Sequence, residues 1–460
     1  MSVARASPPS SPFPDGLPLP RRYWAIAAII LAIVMSVLDS TIVNIALPSI
    51  AREFKVSAAA SIWVVNAYQL AILMLLLPLA SLGEIVGYRR VSQAGIVIFT
   101  LASFACALAP TLLTLSIARV IQGVGAAGIM SVNAALVRFT YPHRSLGRAI
   151  GINAFVVASS AAVGPTIASA VLAVAHWRWL FGINVPIGLI TIIISLKSLP
   201  ESERTARALN YGGALLYAGC LGLILSGLQA LSHHAATTLA LAQIALGALL
   251  GWLLTRHELP RAAPLVPFDL LRRPIFTLSL ATSVCSFTAQ MSALVSLPFE
   301  IQRLGHSAVE TGLFMTPWPL ALALAAPIAG RLADRYPAGI LGGLGLAVMA
   351  TGLLLLALFP STGSGLGLIW RMALCGLGFG FFQAPNNRTI MAAAPRARSG
   401  AAGGMLSAAR LLGQTLGAAT VAILFRAYAA AGSTAALYFA TALALTAALV
   451  SLVRLRHTAA

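Results

Sequence analysis

Asp39 is the one carboxylate this chain carries near the middle of a hydrophobic span, in YWAIAAIILAIVMSVLDSTIVNIALPSI from Tyr23 to Ile50. An ionised acid at that depth costs roughly 2.5–3.5 kcal/mol on insertion scales. Taking up a proton removes the charge whose burial is costly, so a lone intramembrane acid is a candidate proton carrier. Arg119, in LSIARVIQGVGAAG, is a second charge at membrane depth. A guanidinium stays charged at accessible pH and must face water or a partner. Asp39 stands 11 residues before Ile50, and Arg119 stands 8 residues after Thr111. At a rise of about 1.5 Å per residue, their depths differ by only roughly 4–5 Å. A direct or water-mediated contact is allowed, either as a static ion pair that fixes packing or as a proton-coupling site. Gln122 lies one helical turn on from Arg119, and Gly123 and Gly125 let a neighbouring helix approach.

Other polar and aromatic residues in apolar spans are candidates for lining a substrate cavity. Asn44, Asn66, Tyr68, Gln69 and Gln122 fall in the first half of the chain. Phe287, Gln290, Met291 and Trp318 fall in the second, with Gln383 and Asn386 in CGLGFGFFQAPNNRTIM and Arg410 in GGMLSAARLLGQTLG. Aromatic and methionine side chains suit adaptable apolar binding, although each could equally be core packing. Glu300 and Glu310 sit near span ends and are expected to be solvated.

The elements that position these residues follow from composition. Of 460 residues, 59% are hydrophobic and 9% charged. Fourteen spans are expected, at 23–50, 60–82, 91–109, 112–138, 149–174, 179–198, 211–231, 236–255, 275–302, 310–329, 338–359, 366–388, 400–425 and 432–453. Each is long enough to cross a core of about 30 Å as a helix, so the fold is all-α and integral to a membrane. The net charge of +19 is topological. Twenty-two of the 30 Lys/Arg fall on the side shared by both termini and five on the other. That asymmetry predicts cytoplasmic termini and gives no reason to expect nucleic acid. The four cysteines are isolated, with no metal spacing. Phosphate-binding, zinc-protease and nucleophile-elbow motifs are absent, so neither an enzyme nor a cofactor is expected.

Shifted by about 250 residues, the chain matches itself. Leu47-Pro48 meets Leu297-Pro298, Glu84 meets Asp334, Arg119 meets Arg371, and Gly164 meets Gly413. Parallel repeats of this kind build transporter folds. The expected organisation is a disordered tail at 1–20, a six-helix bundle at 23–198, an inserted helix pair at 211–255, a linker at 256–274 and a second six-helix bundle at 275–453.

These motifs resemble the major facilitator superfamily, and within it the fourteen-helix drug:proton antiporter branch, over residues 23–453. LDSTIVNIALP is similar to that branch's first-helix signature, with Asp39 at its acid. ASLGEIVGYRR and GRLADRYP resemble the loop motif thought to switch conformation. Glu84, Gly87, Arg89 and Arg90 stand in the first copy, and Gly330, Asp334 and Arg335 in the second. RVIQGVGAA places Arg119 at the arginine implicated in proton transfer. Gly151, Gly164 and Pro165 match the antiporter motif of the fifth span, but Ser160, Ala168 and Ser169 replace its usual glycines. The resemblance implies a major facilitator fold of two six-helix bundles plus two linker helices. It also implies proton-coupled export of small hydrophobic or cationic compounds by a monomer in the inner membrane. A dedicated exporter or importer of one metabolite or pigment is the alternative, and a transport-inactive sensor a more distant one.

Overall fold

The computed structural model describes residues 16–455 apart from 143–145, 203–208, 231–236, 262–263, 334, 360–364, 395–398 and 429–430. Most of the expected tail lies outside the described residues. So do Asp334 and the loop arginines Arg144, Arg204, Arg207, Arg396 and Arg398.

Every described element is helical. The first half runs α1 (Arg21–Glu53), α2 (Ala58–Ser61), α3 (Trp63–Val86), α4 (Tyr88–Leu108), α5 (Leu112–Thr140), α6 (Leu146–Val174), α7 (Trp179–Gly182) and α8 (Asn184–Ser198). A pair follows, α9 (Tyr211–Ala230) and α10 (Thr237–Glu258), and then the short α11 (Phe268–Leu271). The second half runs α12 (Pro274–Arg303), α13 (Ala308–Met315), α14 (Pro317–Leu332), α15 (Ala338–Leu358), α16 (Gly365–Ala393), α17 (Ser399–Tyr428) and α18 (Gly432–Val453). Among the described residues, thirteen helical spans are long and apolar enough to cross a bilayer, and α6 occupies the place of the remaining expected one. In lipid only such self-satisfied backbone can span.

The repeat is visible in the backbone. Two residues beyond the end of α1 stands Lys55 at φ 54°, and two beyond the end of α12 stands Gly305, 250 residues later, at φ 94°. Ser57 then caps α2 through the Ala60 amide at 3.1 Å, and Ser307 caps α13 through the Glu310 amide at 3.2 Å. Gly95 of α4 lies against the backbone of Gly125 and Gly128 in α5, and Gly345 of α15 lies against Gly378 of α16. A Cβ at Gly95 or Gly345 would come within 2.6–2.8 Å of a carbonyl oxygen, so these helix pairs meet backbone to backbone.

The two bundles touch mainly at the end remote from the chain termini. There one continuous core joins Leu47, Ile50 and Ile62 of the first half to Leu297, Ile301, Met315 and Trp318 of the second. Arg52 donates to Gln302 at 3.3 Å, and Thr166 and Thr316 hydroxyls meet at 2.9 Å. Towards the terminal end the core splits. One cluster holds Ile29, Val91, Leu136 and Leu199, all from the first half, and another holds Phe276, Leu280, Ile390 and Ala402, all from the second. The bundles therefore share one core at the far end, whereas at the terminal end each half has a cluster of its own.

α9 packs on α3 and α17, and α10 packs on α9. Leu239, Leu241, Leu246, Leu249 and Trp252 of α10 stay exposed, as expected of a lipid-facing pair. The pair is closed at its terminal end by Glu258, which is fully buried. Glu258 accepts from the Asn210 amide and the Leu265 backbone N–H, both at 2.5 Å. From the sequence this acid reads only as linker charge.

Candidate functional site

α1 carries Asp39 inward at mid-length, and its side chain is fully buried. α5 begins with a Thr111–Thr114 capping box, which sets the helix register that brings Arg119 alongside. Asp39 Oδ2 accepts directly from Arg119 Nη1. Asp39 Oδ1 accepts from Gln122 Nε2 at 3.0 Å and from Asn184 Nδ2 at 2.9 Å. Gln122 Oε1 in turn accepts from Arg119 Nη1 at 2.7 Å, and Gln122 Nε2 also donates to Ser103 Oγ at 2.8 Å. Arg119 Nε donates to the Val64 carbonyl at 3.0 Å. The guanidinium lies 4.0 Å from the centre of the Tyr68 ring, a cation–π contact. Tyr68 is fixed by its own bond to the Ser36 carbonyl at 2.8 Å.

Five helices thus build one buried polar knot. Each of its bonds suits an ionised carboxylate, which accepts at both oxygens and donates at neither. A proton arriving on Asp39 would leave Arg119 without its counter-charge. The bonds that depend on the Asp39 charge therefore reach α1, α3, α4, α5 and α8. Asn184 was not singled out by sequence, although an amide in the apolar stretch WRWLFGINVPIG was the available signal.

The repeat partner of Arg119 takes a different post. Arg371 is buried, donating to the carbonyls of Phe359 and, at 3.5 Å, Leu355. Ala289 stands where the second half would need an acid, so the two arginines share a register but not a chemistry.

The other sequence candidates divide into groups. Gln122 and Tyr68 belong to the Asp39 knot. Phe287 stacks edge-on with Phe379 at 5.2 Å, and Met291 packs against Gly417, so both are core. Asn386 is held by Ser283 at 2.8 Å and by Arg454, which also binds Ser279 and Ser451 at 2.9 and 2.8 Å. Gln290 and Gln383 are half-buried, and Asn66 is buried. Asn44, Gln69, Trp318 and Arg410 each keep a buried polar atom without a hydrogen-bond partner. Glu300, expected to be solvated, is instead buried and paired with Arg303 at 2.6 Å, since the helix end folds its own counter-ion over it.

By sequence alone Arg454 is one of the 22 basic residues on the side of the termini. Burial pushes its pKa down to about 10, so it still carries its charge at neutral pH. Arg454→Leu takes the donor away from the Asn386 Oδ1, Ser279 Oγ and Ser451 Oγ acceptors, and is expected to cost about 1–3 kcal/mol. The check is a lower apparent melting temperature in detergent, with substrate binding unchanged in the folded fraction.

In the loop motifs, Gly87 joins α3 to α4 at φ 105°, a conformation that favours glycine. Arg89 reaches the Leu196 carbonyl and lies 3.7 Å from Glu201, while Arg90 is exposed. Glu84 is half-buried at the end of α3. Gly330 has open space where a side chain would go, and Arg335 is exposed. In α6, which carries Gly151, a Cβ on Gly164 would meet Thr41 Oγ1 at 2.1 Å. One turn on, Pro165 and Ser169 receive Gly312 of α13, whose added Cβ would meet Ser169 Oγ at 1.6 Å. α6 is therefore gripped between its own bundle and the opposite one.

Comparison with known proteins agrees with this architecture. The uncharacterized transporter YebQ of Escherichia coli (strain K12) is 50% identical over 444 residues, covering 96% of this chain and 97% of that protein. The multidrug resistance protein Stp of Mycobacterium tuberculosis (strain CDC 1551 / Oshkosh) is 32% identical over 409 residues, 87% of this chain and 75% of that protein. A solved bacterial homolog of the human lysosomal transporter Spinster, inward-facing and unoccupied, superposes with a TM-score of 0.69 at 15% identity, over 96% of this chain and 98% of that one. The family pattern of the Major Facilitator Superfamily matches residues 29–418. With two six-helix bundles, a linker pair and this family match, the chain is a membrane transporter rather than an enzyme, and it belongs to the Major Facilitator Superfamily.

Proposed function

We propose that this transporter exports small, partly hydrophobic compounds in exchange for protons. It does so by alternating access, as a monomer in the bacterial inner membrane with its terminal end in the cytoplasm. The observation that carries this reading is the buried knot in which Asp39 holds Arg119, Gln122 and Asn184. The multidrug resistance protein among its relatives supports export of drug-like compounds, and the bacterial relatives support the inner membrane.

In the far-closed form Asp39 is ionised and paired, and the parted terminal end admits substrate. Rocking of the unit 23–198 against 275–453 then closes the terminal end and opens the far end. A proton from outside neutralises Asp39, frees Arg119 and loosens the contacts that the knot imposes on five helices. Return to the far-closed form releases the proton inside. The pair at 211–255 and the linker at 256–274 tie the two units, and the loops at Glu84–Arg90 and Gly330–Arg335 favour one closure over the other.

Purified protein in liposomes loaded with a pH-sensitive dye tests the exchange. Adding a transported compound is expected to move protons in wild type and not in protein-free liposomes. Compound movement with no proton movement, across a panel of cations, neutral drugs and metabolites, would overturn the coupling.

A further inference from the structure

Arg410 sits on α17, on a face that repeats at 403, 407, 410 and 414. These residues are Gly403, Ser407, Arg410 and Gln414, spaced four, three and four apart and all half-buried. The other faces of α17 are taken. Gly413 and Gly417 lie against Val284, Phe287, Thr288 and Met291 of α12. Leu411 joins Tyr68, Ile72 and Leu225 in a core shared with the first bundle and α9, and Leu412 and Leu416 pack onto the same cluster. The polar face therefore turns towards the space between the bundles.

The Nε of Arg410 is buried without a hydrogen-bond partner, and no described residue forms an ion pair with its guanidinium. Depth follows from register. Gly404 of α17 lies opposite Leu77 of α3, and the two helices run antiparallel. Counting along both helices sets Gln69 of α3 within about one turn of Arg410. Gln69 is fully buried, and neither its Oε1 nor its Nε2 has a partner. An unpaired cation and an unpaired amide thus stand at one depth on the two helices that meet at the seam between bundles.

Among the described residues no acid pairs with that cation. Asp39 is consumed by Arg119, Gln122 and Asn184. Glu300 is closed by Arg303, and Glu310 is spent on the Ser307 cap. The described interior therefore offers no free carboxylate to a cationic compound, while it offers a guanidinium to an anionic one.

We propose that the substrate is an organic anion, a small apolar or aromatic compound bearing a carboxylate that Arg410 binds and that the Gln69 amide helps to orient. Guanidinium and carboxylate match as planar two-pronged partners, which also explains why arginine suits this post. The proposal rests on the transport reading only in taking the space between the bundles as the binding place.

The test uses three probes of one shape. These are 2-naphthoate, 2-naphthamide and (2-naphthylmethyl)trimethylammonium, titrated against the purified full-length protein by calorimetry and by protection from thermal aggregation. Neither readout requires transport. Wild type is expected to bind naphthoate more tightly than the cation. Arg410→Gln is expected to weaken naphthoate on the order of tenfold or more while leaving naphthamide unchanged, and Arg410→Lys to recover part of the loss. Retained naphthamide binding shows that the variants are folded, and the ranking of the three probes on wild type needs no variant. Tighter binding of the cation by wild type, or undiminished naphthoate binding by Arg410→Gln, would overturn the proposal. Naphthoate movement across the liposome membrane with no proton movement would instead sink the coupling reading and leave this one standing.

Discussion

Asp39→Asn is expected to stop proton-driven transport while leaving substrate-for-substrate exchange in place. Asparagine has nearly the shape of aspartate but carries no charge and cannot take up a proton at the same oxygen. Its carbonyl can still accept from Gln122 or Asn184, whereas its amide turns donors towards Arg119. Arg119 then resembles its own state after Asp39 is protonated, so the variant should behave as a permanently loaded carrier. Uptake into everted vesicles driven by a pH gradient should fall to the level of empty membranes. Counterflow, in which internal substrate drives entry of labelled substrate, should persist. Breaking a buried pair by removing one partner costs about 3–5 kcal/mol, so reduced thermal stability is part of the expected result. Asp39→Glu keeps a proton site and should recover some driven transport. Full gradient-driven activity in Asp39→Asn would remove Asp39 from the coupling mechanism.

The second large effect belongs to Gly312→Ala. One added methyl would sit 1.6 Å from Ser169 Oγ and 2.9 Å from Ser169 Cβ, so turning the hydroxyl away does not relieve the clash. Pro165 O, at 2.8 Å, blocks the other direction. Because α13 and α6 belong to opposite bundles, the methyl acts on far-end closure and not on the packing of either bundle. Overpacking of this kind costs about 1–3 kcal/mol, which shifts a two-state equilibrium by roughly 5- to 150-fold. Cysteines replacing Thr166 and Thr316, whose hydroxyls are 2.9 Å apart, report closure by cross-linking. Gly312→Ala should suppress that cross-link and slow transport, and Ser169→Gly added to it should restore both. Cross-linking at the level of the parent in Gly312→Ala would show that α6 yields instead.

Much of this was legible in the sequence for simple reasons. Long apolar runs broken by basic turns mark spanning helices, because lipid leaves the backbone no alternative. Matching depth brought Asp39 and Arg119 together in expectation before any contact was known, and the structure joins them directly. What sequence could not show was which polar groups are already spent. Asn184 lies 145 residues from Asp39 and only the packing of α8 on α1 brings it there. Phe287, Met291 and Asn386 look like cavity residues by type, and it is neighbouring helices that absorb them. Arg454 reads as a loop charge because it ends a span, yet serine and asparagine from α12, α16 and α18 surround it. Ser169 looks like a defect in a glycine motif. The missing smallness is supplied by Gly312 on the facing helix, which no single-helix pattern reveals.

The unequal posts of Arg119 and Arg371 have an electrical consequence. With Asp39 ionised, the first bundle's knot is neutral in sum, and with Asp39 protonated it carries one positive charge. Arg371, lodged on carbonyl dipoles, keeps the same charge throughout the cycle. Under the proposed exchange the proton-loaded form therefore feels membrane voltage differently from the ionised one, through the first bundle. A full elementary charge moved across 100 mV is about 2.3 kcal/mol, so even a partial displacement gives an inside-negative potential a direct pull on the loaded carrier's return. Clamping voltage at zero with the pH gradient held constant should slow that step in wild type.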